Sequence, residues 1–165
     1  MTDSDPYHLL GKFVVTFQQL ENQVKEIILL LVQTKDDEMI SILMHELDNS
    51  ARLKTVDVLF QRFTSMKNGD FKEDNTDFHQ LIEKIKKLGA RRNEIVHSLY
   101  FDLITENGEL GLVRQNSKLS TNKKGERKES EEDLLPKDLL RDITDLDKAS
   151  GRLESYRLKI INWVL

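Results

Sequence analysis

The sequence predicts an all-α protein, an up-and-down bundle of four to five helices with a small β-hairpin inserted before the last one. Three observations carry that reading. Apolar residues recur at helical spacing through several long stretches, and the early stretches are joined by short connections. The 165 residues contain only 2 prolines and 7 glycines, so helix breakers are scarce. Between the fourth and last helical stretches the period changes, and two short extended arms flank Asn107-Gly108, a pair suited to a tight hairpin turn.

The elements follow in order. Asp3, Ser4 or Asp5 can cap a first helix whose opening turn holds Pro6. Its stripe runs Leu10, Phe13, Val14, Phe17, Leu20, Val24, Ile27, Ile28 and Leu31, helical spacing held for more than five turns. Asp36 and Asp37 start a second, shorter helix with Ile40, Leu43, Met44 and Leu47. A cap signal around Asn49 and Ser50 precedes a third, with Leu53, Val56, Leu59, Phe60 and Phe63. The stretch 67–75, "KNGDFKEDN", reads as a loop. Asn75 or Thr76 then caps a fourth helix with Phe78, Leu81, Ile82, Ile85, Leu88, Ile95, Val96 and Leu99 on its stripe. Residues 100–116 hold the hairpin. Residues 117–133 are polar and charged with one apolar residue, too little to bury, and predict a mobile loop. Pro136 opens a last helix with Leu139, Leu140, Ile143, Leu146, Leu153, Tyr156, Ile160 and Trp163. Gly151 is the weak point in its middle.

Composition bounds the function. The chain is 38% hydrophobic and 33% charged, as expected of a soluble globular protein. The absence of cysteine excludes disulfides and thiolate metal sites and suits a reducing compartment. "MTDSDPYHLL" has neither a basic nor an apolar leader segment, and the longest apolar run, "IILLLV" (27–32), is too short to span a bilayer. A cytoplasmic protein with no membrane partner is therefore expected. A net charge of −4 gives no general attraction to nucleic acid, so any polyanion site must come from local charge.

Local charge is found in "ARRNEIVHSLY", residues 90–100. Stepping along the fourth helix by threes and fours gives 78, 82, 85, 89, 92, 96 and 99, which puts Arg92 on the line that should face the core. A guanidinium there needs an anionic partner or an opening to solvent. Glu21 and Asp57 are both candidates. Asn93 and His97, four apart, share a face with Ala90 and Lys86. Arg92 and His97 are five apart, about 140° around the axis, so within one straight helix they converge poorly on a single atom. A second copy packed against this face would gather two arginines and two histidines around one groove, and that arrangement requires a homodimer.

The chemistry open to such a group is limited. A histidine titrating near neutrality can move a proton to or from a hydroxyl, and an arginine can hold a phosphate and stabilise charge developing on it. Together they suit cleavage of RNA by its own 2′-hydroxyl, which needs no metal. From Leu81 to Ser98, Lys84, Lys86, Lys87, Arg91 and Arg92 stand against Glu83 and Glu94, a basic stretch in an acidic chain. Against this stands the plainer reading of a basic helix end favoured by the macrodipole. His8, His45 and His79 lack a second ligand at metal spacing, and Glu38, Glu46 and Asp48 read as solvated. No phosphate loop, nucleophile elbow or two-metal carboxylate pair is present, so neither cofactor nor metal is expected.

Arg92-Asn93-Glu94-Ile95-Val96-His97 resembles the Arg-x4-6-His motif of the HEPN (higher eukaryotes and prokaryotes nucleotide-binding) superfamily, in its common form with Asn after Arg at the end of a long helix. The resemblance covers most of the chain in architecture and six residues in motif, and implies a single HEPN-like helical domain over 1–165. Many such proteins are metal-independent endoribonucleases of toxin–antitoxin, abortive-infection and CRISPR-associated systems, acting as homodimers with both motifs in one cleft. The resemblance implies His97 as the catalytic acid or base and Arg92 at the scissile phosphate, with Asn93 orienting the site and Glu94 in a supporting place. Lys86, Lys87 and Arg91 would contact RNA, and an antitoxin or other partner protein is implied as a further possibility. Some HEPN proteins bind without cleaving, so the alternative is a non-catalytic helical module for a nucleotide, RNA or partner protein. A third reading is a plain structural bundle with an Arg92–Glu21 ion pair.

Overall fold

The computed structural model describes residues 5–33, 36–119 and 127–164. The element order is α1 (Pro6–Val32), α2 (Asp37–Glu46), α3 (Asn49–Ser65), α4 (Lys72–Val96), β1 (Leu99–Ile104), β2 (Leu110–Leu119), β3 (Arg127–Leu134) and α5 (Pro136–Val164). The chain is thus mostly helical with a small antiparallel sheet before the last helix, and no described helix is long and apolar enough to cross a membrane.

Helices α1 to α4 each start where a side chain takes up one of the first amide groups. Asp5 Oδ1 accepts from the Tyr7 amide at 2.9 Å, beside Pro6, which has no amide hydrogen to satisfy. Asp36 caps α2 through the Met39 amide. The cap of α3 is Asp48, accepting from the Ala51 amide at 2.7 Å, one residue earlier than Asn49 and an acid that the sequence reading leaves solvated. Helix α4 also starts earlier than expected. Asp70 accepts from the Lys72 amide at 3.1 Å, so the expected loop at 67–75 ends before Lys72 and Asn75 lies inside the helix. At the other end α4 stops at Val96, which corrects its predicted stripe: Leu99 stands in β1 with 69% of its surface exposed.

The described residues form two compact units, where the sequence reads as one domain. One takes in the described parts of 1–16 and 90–145, the other those of 17–89 and 146–165. The core of the second is helical. Of the predicted stripe of α1, Phe17, Leu20, Val24, Ile27, Ile28 and Leu31 are buried here; in the first unit Phe13 is buried too, but Leu10 and Val14 are only half-buried and Leu9 is buried instead of Leu10. Phe60 of α3 stacks on Phe78 of α4 with ring centroids 4.0 Å apart, and Tyr156 of α5 meets both rings edge-on. Gly89 marks a close approach: a Cβ there would lie 3.0 Å from Asn49 Nδ2 and 3.6 Å from Phe17 Cζ, so the absence of a side chain lets three helices converge.

The first unit holds the sheet, in order β1-β2-β3, all antiparallel. The expected hairpin is present, with Gly108 at φ +78° and its amide donating to the Thr105 carbonyl at 2.9 Å. The sheet has one strand more than predicted. Residues 117–119 extend β2 and 127–133 belong to β3, which corrects the mobile-loop expectation for those positions; 120–126 lie outside the described residues. The register pairs Leu112 with Leu134 and Arg114 with Glu132 on one face, both leucines fully buried and Arg114 5% exposed. On the other face Val113 pairs with Asp133, and Gln115 with Glu131. Pattern reading misses β3 because its buried face is specified by an ion pair and one leucine, with no alternation of apolar residues to detect.

Candidate functional site at the end of α4

The motif occupies the last turn of α4 and the residue after it. Leu88, Gly89 and Ile95 are buried, so this end of the helix is anchored on its apolar side. Arg92 is half-buried and its Nη1 donates to Asn93 Oδ1 at 3.1 Å. Asn93 is exposed, and its carbonyl accepts from the His97 amide at 3.1 Å, a last helical hydrogen bond that carries the helix geometry through to the histidine. The His97 side chain is exposed. Arg92, Asn93 and His97 are thus linked in series, the first to the second by side chains and the second to the third by backbone. Of the acids offered for Arg92, Asp57 is engaged by His79: its Oδ2 lies 2.7 Å from His79 Nδ1, and Asp57 is 8% exposed. His79, read from sequence as an isolated surface residue, is therefore half of a histidine–carboxylate pair.

Arg91 departs most from expectation. Placed by sequence among the RNA contacts, it is held by carboxylates. Its Nη1 and Nη2 donate to the two oxygens of Glu132 at 2.8 and 2.9 Å, and its Nε donates to Asp142 at 2.9 Å. Glu94 stands 3.8 Å away as a weaker third partner. Burial works against the charge, but the hydrogen bonds to Glu132 and Asp142 outweigh it and raise the Arg91 pKa further above its ordinary value. The same Glu132 also accepts from Arg114 Nε at 2.9 Å. Arg114 reaches on to Ser98 Oγ at 3.2 Å and to the Glu94 carbonyl at 3.5 Å. Two arginines thus share one carboxylate beneath the motif, and the hydrogen bond from Arg91 depresses the Glu132 pKa. This network orients the turn that carries the motif. Sequence reasoning did not find Arg114, Glu132 or Asp142, because their pairing depends on strand register and tertiary contact.

Lys86 and Lys87 lie earlier on α4, within the other unit. Lys86 is paired with Glu83, while Lys87 is exposed. Glu94, the remaining predicted residue, is half-buried, and its carbonyl accepts from Ser98 Oγ at 2.5 Å and helps close the helix end.

His97 borders a groove of about 410 Å³ whose other walls are Leu99, Gln115, Asn116, Glu129, Ser130 and Glu131. An exposed imidazole beside two carboxylates can exchange protons and can hold a cationic or hydroxyl-bearing group. Among the described residues no group of three or more His, Asp or Glu side chains is placed to hold a metal ion. No protein family, curated protein or solved structure matches the chain, so the site has to be argued from its own residues.

Proposed function

We propose that the protein is a HEPN-like endoribonuclease that cleaves RNA without a metal, at a groove formed by two copies of the chain packed as up-and-down helical bundles. The observation that carries this reading is the linked series Arg92–Asn93–His97 at the exposed end of a 25-residue helix, in the residue order of the family motif. In the reaction, His97 of one copy takes the proton of a 2′-hydroxyl as that oxygen attacks the adjacent phosphorus. Arg92 stabilises the charge gathering on the non-bridging oxygens. The bond from phosphorus to the 5′-oxygen breaks, and His97 of the other copy returns a proton to that oxygen. The products are a 2′,3′-cyclic phosphate and a free 5′-hydroxyl. Asn93 holds Arg92, the Arg91–Glu132–Arg114 network keeps the turn in place, and Lys87 with Lys86 supplies positive charge for the RNA backbone. A cytoplasmic toxin or defence protein, controlled by an antitoxin-like partner, fits this activity.

The second reading is a non-catalytic module that binds a nucleotide, RNA or a partner protein, and one observation favours its partner-protein form. The groove beside His97 carries Glu129 and Glu131, which repel phosphate. Purified protein and its His97→Ala variant, each incubated with single-stranded RNA in EDTA, separate the two. The nuclease cuts and the variant, equally folded by circular dichroism, does not. Equal cleavage by both proteins, or none by either across varied RNAs, removes the catalytic reading.

A further inference from the structure

The outer face of the sheet presents two unlike rows of side chains. Residues paired across antiparallel strands share a face, so Leu99, Phe101 and Leu103 of β1 lie on the same side as Gln115 and Val113 of β2. Glu131 and Asp133 of β3 lie there too, opposite Gln115 and Val113, with Glu129 two residues further along the strand. Leu99 is 69% exposed and Phe101 51%, and Glu129, Glu131 and Asp133 are all exposed. The Gln115 amide donates to Glu131 at 2.9 Å, across the middle of the face. One edge of the surface is therefore apolar and the other acidic, and His97 stands beside it, sharing its groove with Leu99, Gln115, Glu129 and Glu131.

We infer that this face docks an amphipathic helix of a partner protein, apolar along one side and lysine- or arginine-rich along the adjoining flank. Dimensions and charge both select that occupant. Two strand spacings separate β1 from β3, about 10 Å, close to the width of an α-helix with its side chains. A helix laid along the strands thus rests its apolar side on Leu99 and Phe101 while its basic flank reaches Glu129, Glu131 and Asp133. Glu129 to Asp133 spans about 13 Å of strand, matched by roughly two and a half helical turns. Exposed aromatic and aliphatic groups supply the area that leaves water, and the carboxylates set orientation and encounter rate. A polyanion is repelled by the acidic row, and a second copy docking here in parallel would set acid against acid.

The inference stands apart from RNA cleavage, because neither probe nor readout involves RNA. The probe is a 14-residue helical peptide of leucine and lysine, with a control in which glutamate replaces each lysine. Binding is followed by fluorescence anisotropy and by amide NMR shifts of the intact protein. The lysine peptide is expected to bind, shifting Leu99 to Leu103 and Glu129 to Asp133. Glu129→Lys/Glu131→Lys is expected to weaken it at least tenfold, and Phe101→Ser about tenfold, with unchanged circular dichroism. The result that overturns the inference is an affinity that charge reversal leaves unchanged, or one shared by the glutamate peptide. Shifts confined to other surfaces overturn it as well. So does a fall in oligomeric mass on Phe101→Ser, which would assign the face to a second copy.

Discussion

Arg91 and Arg92 are adjacent on one helix and serve different ends. Arg91 spends its donors on Glu132 and Asp142 inside the fold, while Arg92 turns to the exposed Asn93. Replacing Arg91 by alanine leaves two carboxylates without their main partner. Breaking a fully buried pair costs about 3–5 kcal/mol; with Glu132 partly open to solvent, about 2 kcal/mol is expected here, measured by urea denaturation at neutral pH. Lysine at the same position recovers little, since it lacks the planar fork. The same pair sets a pH dependence. The Glu132 carboxyl is held below its ordinary value of 4.5, so its contribution is fully present above that pH and is lost as pH falls through the depressed folded value. Stability measured between pH 5 and pH 3 is expected to fall less steeply in Arg91→Ala than in the native chain. None of this was legible in the sequence: the partners of Arg91 lie 41 and 51 residues away, and helix periodicity, which put Arg92 on the core-facing line, says nothing of the carboxylates that Arg91 meets. The closeness of Arg92, Asn93 and His97 was legible because their spacing on a strongly striped helix is a local property.

Helices and strands differ in how far the sequence announced them. The helical stripes anticipated most of the core because burial follows the 3.6-residue period: Phe13, Phe17, Leu20, Val24, Ile27 and Ile28 are each at most 1% exposed, whereas Leu43, Val96 and Leu140, also read on stripes, are exposed. Helix boundaries shifted where an unforeseen side chain supplied the cap, as Asp48 and Asp70 did. The β1–β2 hairpin was visible in Asn107-Gly108. Strand β3 was hidden because its pairing is written in charge, Arg114 against Glu132. The weak point predicted in the last helix is also present. Gly151 lies within α5, exposed, and apart from its own helix backbone and chain neighbours nothing lies within 4 Å of where a Cβ would stand. Gly151→Ala is expected to stabilise the protein by about 1 kcal/mol, seen as a higher urea midpoint with an unchanged slope.

At the scale of the whole molecule, the nuclease reading needs two chains, since within one helix Arg92 and His97 point about 140° apart. Light scattering at micromolar concentration is expected to give twice the 19.3 kDa chain mass, and a strict monomer would remove the composite site. Net charge adds a second expectation. On the nuclease reading, a chain of −4 overall would hold RNA only through local groups, so Lys87→Glu is expected to weaken RNA binding several-fold and to flatten its salt dependence, read by filter binding at two salt concentrations. The placement of His97 has a mechanical consequence. Its amide is the last one bonded into α4, and two residues later Leu99 enters the ladder of β1. The imidazole therefore rides on a hinge of a single intervening residue, clamped by helix on one side and sheet on the other. On the nuclease reading, whatever tilts the sheet would shift the reach of His97 without touching it, making the strands a lever on the timing of cleavage.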